Sequence, residues 1–107
     1  MCKYSILAQS KDAYIRYCHC CKTYTVTFNN LLMNFAPSGL SDFKAHLTAC
    51  YEANVRDHCE EHRGVRDITF STRLDGLSFL FSTQEVGELL SLIQQAQLSE
   101  LLVEEIK

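Results

Sequence analysis

The chain has 107 residues, the size of one domain; either half alone would be too small to hold a core. Its 47% hydrophobic and 21% charged residues give the balance of a globular protein, and aromatic and aliphatic residues along the whole length exclude disorder. A net charge of −3 excludes a general nucleic-acid binder, which needs a basic face to displace counterions.

Residues 4–8 and Ala13–Cys18 are two short β-rich runs, and Ser10-Lys11-Asp12 between them reads as a hairpin loop. In Thr23–Phe28, Tyr24, Val26 and Phe28 alternate with threonines, the period of a half-buried strand. Asn29-Asn30 predicts a two-residue type I′ turn, because Asn tolerates positive φ. Leu31–Phe35 is the partner strand, closed by Pro37-Ser38-Gly39. A helix is predicted over 41–55, burying Phe43, Leu47, Cys50 and Tyr51. Residues 23–41 carry no charge, but Asn29, Asn30, Asn34, Pro37 and Gly39 interrupt them, so they are not a membrane span.

The second half follows the same plan. Residues 68–74 predict a strand in which Phe70, Thr72 and Leu74 take the places of Tyr24, Val26 and Phe28. Asp75-Gly76 predicts the hairpin turn, and residues 77–81 return as its partner. Ser82 and Glu85 form a capping box for a helix whose Val86, Leu89, Leu90 and Ile93 make one stripe. Leu98, Leu101, Leu102 and Ile106 make another, rotated by roughly 130° on a continuous helix. Either the helix breaks near residues 97–99 or its tail serves a second surface. The reading is a duplicated ββα unit, residues 22–54 and 68–97, against the alternative of two ordinary hairpin–helix units that look alike by chance.

Charge is uneven. Residues 1–82 hold nine Lys and Arg against eight Asp and Glu, while residues 83–107 set Lys107 against Glu85, Glu88, Glu100, Glu104 and Glu105. That acidic stretch reads as a solvated helix face.

Near the start, Ile6-Leu7-Ala8 is too short an apolar run for a secretion signal, so a cytoplasmic location with six reduced cysteines is expected. Cys18 and Cys21 form a C-x-x-C pair, a spacing that lets two thiolates bind one metal ion. A redox pair would sit at a helix N-terminus, whereas here a strand follows, so the pair is expected on a turn between strands. Metal knuckles usually carry Gly after the second Cys, and this chain has Lys22 there. A zinc site needs four ligands, and the candidates for the rest are Cys2, Cys50, Cys59, His46, His58 and His62. Cys2 starts the strand expected to pair beside Cys18, and Cys59 lies in a polar segment with no packing reason to be Cys. Cys50 reads as a core residue, and His19 and Cys20 as bystanders. The set Cys2, Cys18, Cys21 and Cys59 is therefore the candidate zinc site. His58-Cys59-Glu60-Glu61-His62 formally fits H-x-x-E-H, but Arg63-Gly64 ends any helix directly after it, and it reads as a solvated segment.

Met1-Cys2, the Cys18/Cys21 pair, Phe28-Asn29-Asn30-Leu31 and Leu80-Phe81-Ser82-Thr83-Gln84-Glu85 resemble a family of short, uncharacterised bacterial proteins. The resemblance covers nearly the full chain. It implies a bacterial cytosolic protein without assigned activity, and it favours Cys2, Cys18 and Cys21 acting together.

The expected fold is α+β over a single domain, 1–107. It comprises six mainly antiparallel strands, arranged as an N-terminal hairpin and two ββα units, with helices on one sheet face. The expected function is a non-catalytic binding or protein-interaction module with zinc as its candidate cofactor. The alternative is a small redox or cysteine-dependent enzyme using Cys18 and Cys21. A protein partner or homo-oligomer would use the C-terminal helix, and no catalytic residue is assigned.

Overall fold

The structure, a computed structural model, describes residues 3–57, 66–72 and 74–106. Strands β1 (Tyr4–Gln9), β2 (Ala13–Cys18), β3 (Thr23–Phe28) and β4 (Leu31–Phe35) form an antiparallel meander in that order. Helix α1 (Pro37–Asp57) follows, then β5 (Arg66–Ser71) and β6 (Ser78–Ser82) as a separate two-stranded sheet, then α2 (Thr83–Ile106). This is the α+β, mainly antiparallel architecture that the strand patterns predict.

Alternation along the strands decides where the core lies. Ala13, Ile15, Val26 and Phe28 are buried on one face of the larger sheet, with Leu31, Met33 and Phe35 packed beside them. Leu40 and Leu47 of α1 and Val86, Leu89, Leu90 and Ile93 of α2 belong to the same core. The opposite face leaves Tyr4, Ile6 and Leu32 more than half exposed. The β5–β6 hairpin joins the body by aromatic contacts. Phe81 meets Phe28 at 6.3 Å between ring centroids, and Phe70 meets Phe43 at 6.1 Å.

Three local features differ from the sequence expectation. Helix α1 begins at Pro37 rather than near residue 41, with the Leu40 N–H donating to the Ala36 carbonyl at 3.0 Å. Proline is pre-organised for the first helical position, so Pro37 starts the helix rather than closing the strand. At the first hairpin Phe28 pairs with Leu31, so the loop is Asn29-Asn30 as expected, but only Asn29 has positive φ, 55°. A type I′ turn needs positive φ at both positions, so this turn is of another type.

At the second hairpin Ser71 pairs with Ser78 and Phe70 with Phe79, so the loop is longer than two residues and Leu74 is not in the strand. The Leu77 N–H donates to the Leu74 carbonyl at 3.2 Å, which puts Asp75-Gly76 at the centre of a β-turn with Gly76 at φ 81°. The Thr72 N–H donates to the Leu77 carbonyl at 3.2 Å, and the Thr72 hydroxyl donates to the same carbonyl at 2.7 Å and accepts the Leu74 N–H at 3.2 Å, a side-chain bracket across the loop. Each half of the chain thus runs hairpin then helix, but the two hairpins close in different registers.

Of the two alternatives for the last helix the structure has the unbroken one: α2 is continuous through residues 97–99. Its first stripe is buried, while Leu98 and Leu101 are 60% and 56% exposed. The side facing the body carries Ser99, whose hydroxyl donates to the Leu7 carbonyl at 2.7 Å. The capping box forms as predicted: Ser82 N–H donates to Glu85 Oε1 at 2.9 Å and Glu85 N–H to Ser82 Oγ at 3.1 Å.

Candidate metal and thiol site at the β2–β3 turn

Cys18 is the last residue of β2 and pairs across the ladder with Thr23, leaving residues 19–22 as the turn. The Lys22 N–H donates to the Cys18 carbonyl at 2.8 Å, and the Cys21 N–H donates to Cys18 Sγ at 3.3 Å. Lys22 has φ 56°, the left-handed conformation that glycine usually supplies at this point of a metal knuckle. Lys22 stands where a knuckle carries glycine, and the backbone takes the left-handed shape with lysine.

Cys18 is buried, 3% exposed, while Cys20 and Cys21 are exposed. The start of β1 runs alongside: Tyr4 pairs with Cys18, and the His19 N–H donates to the Lys3 carbonyl at 2.9 Å. His19 Nε2 is hydrogen-bonded to Ser5 Oγ at 2.6 Å, and its ring meets the Tyr17 ring edge-on at 5.2 Å. Tyr17 packs on Tyr24 at 4.9 Å, and the Tyr24 hydroxyl donates to the Glu100 carboxylate at 2.8–2.9 Å. The turn is therefore tied on one side to β1 and on the other, through aromatic rings, to the tail of α2. No local signal announces a contact between residues 76 positions apart in sequence.

Of the four predicted ligands, Cys18 and Cys21 are brought together in one turn, whereas Cys2 and Cys59 lie outside the described residues, as do His58, His62 and the H-x-x-E-H run. Among the described residues no three His, Cys, Asp or Glu converge in metal-binding geometry. Cys50 is half-buried against the core, and the His46 ring meets the Phe70 ring edge-on at 5.0 Å. On the open sheet face the Arg16 guanidinium lies 4.2 Å from the Tyr4 ring centroid and 5.9 Å from that of Tyr14. Its Nε is buried without a hydrogen-bond partner. Tyr14 and Arg16 sharing a face was legible from strand alternation; Tyr4 joining them needed the β1–β2 register.

The chain belongs to DUF6686, a family of unknown function. Its family model matches residues 1–107, the full sequence. No curated protein and no solved structure matches the chain. No helix among the described residues is long and apolar enough to cross a membrane.

Proposed function

We propose that this DUF6686 chain is a non-catalytic, cytosolic binding module in which a structural zinc is held by Cys18 and Cys21, with Cys2 and Cys59 as the completing ligands. The observation that carries the reading is the turn itself: Cys21 N–H aimed at Cys18 Sγ, with Lys22 in the left-handed region. An N–H aimed at sulfur stabilises negative charge there, and a zinc-ligating cysteine is a thiolate. Zinc would join the hairpin to other parts of the chain, and its binding free energy would add directly to folding. The enzyme reading is less favoured because the pair is flanked by two strands, with no helix N-terminus to activate a thiolate.

The test is elemental analysis of protein purified without a His tag. About one zinc per chain is expected, falling below about a tenth of that in Cys18→Ser and in Cys21→Ser. Folded wild-type protein that neither carries zinc nor takes it up on titration would end the metal reading. Cysteine alkylation separates the alternative: exposed Cys21 labels before buried Cys18, and zinc slows both.

A further inference from the structure

Sheet edges need explanation because their outward N–H and C=O groups can template another strand. β1 is an edge with three devices against such pairing: a bulge between Ile6 and Ala8, Lys3 at its start, and the Ser99 hydroxyl bonded to the Leu7 carbonyl. β4, the other edge, has none of them. Its sequence Leu31-Leu32-Met33-Asn34-Phe35 contains no charge, no proline and no bulge, and it pairs with β3 in unbroken register. Among the described residues no strand pairs with its second edge.

The register shows which groups point outward. The two-residue loop makes Phe28 and Leu31 a hydrogen-bonded pair, so Val26–Met33 and Tyr24–Phe35 are hydrogen-bonded pairs as well. Leu32 and Asn34 then direct their N–H and C=O groups away from β3, and both residues are exposed.

We propose that β4 pairs antiparallel with β4 of a second copy of this chain, about a two-fold axis at Met33, to make one continuous sheet. This register sets Leu32 opposite Asn34 of the partner subunit, so every outward group of both residues finds a partner. On the helix side Met33 meets its symmetry mate and Leu31 meets the partner's Phe35. Leu31, Met33 and Phe35 are only half-buried in one copy, and the pairing covers them with an apolar row that is complementary to itself. Residues 23–41 are free of charge, so two copies approach without like-charge repulsion along the seam. A foreign extended peptide could use the same edge, but the matching apolar row and the symmetric register favour a second copy. The inference supplies a partner for the interaction-module reading; metal content is measured on the same samples, so loss of zinc and loss of pairing are read separately.

Sedimentation equilibrium of the full chain over a range of concentrations tests the pairing, with amide hydrogen exchange locating it. The expected mass rises from 12.2 kDa towards twice that value with concentration. The Leu32 and Asn34 amides should gain protection in step. Leu32→Pro removes an outward N–H without touching the β3–β4 ladder, and Leu32→Lys adds an edge charge at a side chain that is 59% exposed. Both variants should stay folded by circular dichroism and remain monomeric at concentrations where wild type is dimeric. A wild type that is monomeric throughout overturns the proposal. So does a dimer that both variants leave intact, or whose Leu32 and Asn34 amides stay unprotected.

Discussion

Two residues concentrate local energetics in a testable way. Lys22 holds φ 56°, where an L-residue with a side chain pays about 1 kcal/mol that glycine does not. Lys22→Gly is therefore expected to stabilise the protein by up to about 1 kcal/mol in urea unfolding, and Lys22→Val to destabilise it by more. A loss of stability in Lys22→Gly would mean that the lysine side chain itself contributes. Glu85 receives the Ser82 N–H, an ion pair from Arg66 at 2.9 Å and the Asn29 side-chain amide at 3.3 Å. Partial burial pushes its carboxyl pKa up, but the Arg66 hydrogen bond, the Ser82 N–H and the Arg66 charge together hold it below the ordinary value of 4.5. Because the folded-state value is depressed, this contribution is fully present above the ordinary pKa and fades as pH falls through the folded one. Glu85→Gln should accordingly lose stability at pH 7 and show a shallower acid limb than wild type in thermal unfolding. Ser82→Ala, which removes the other half of the cap, should cost about 1 kcal/mol at any pH where the fold persists.

Among the elements, α2 shows how neighbours override a pattern. Its two apolar stripes cannot both face one core on a straight helix, and the helix stays unbroken with Leu98 and Leu101 of the second stripe turned outward. Ile93 is fully buried, so Ile93→Ala is expected to cost about 3 kcal/mol, whereas Leu98→Ala should stay within about 0.5 kcal/mol. Equal costs by chemical denaturation would mean that Leu98 is covered. The hairpins make the same point at shorter range. Asp75-Gly76 does sit at a turn, but the strands pair Ser71 with Ser78, and Thr72 closes the longer loop through its N–H and hydroxyl on the Leu77 carbonyl. A two-residue shift preserves which side chains face the core, so Ile68, Phe70 and Phe81 remain buried despite the changed register.

For the molecule as a whole, a structural zinc would couple the β2–β3 turn to global stability. Exhaustive chelation should then lower the melting temperature and raise amide exchange first in residues 16–25; a melt unchanged by chelation would dissociate the turn from any metal. The α+β class, the two hairpins, the capping box and the core positions Val26, Phe28, Leu47, Val86 and Ile93 were determined by the sequence alone. They follow from periodicity, turn chemistry and burial of apolar surface, all local rules. So was the placement of Cys18 and Cys21 at one strand–strand turn, because three residues of separation and flanking β patterns suffice. Only the tertiary structure decided that the second hairpin forms its own sheet, that Tyr24 reaches Glu100, that α2 runs on with Leu98 and Leu101 outward, and that β4 is an edge strand among the described residues. Those outcomes depend on which elements meet in space, and contacts across dozens of residues are set by the competition among whole packed arrangements rather than by any segment's own preference.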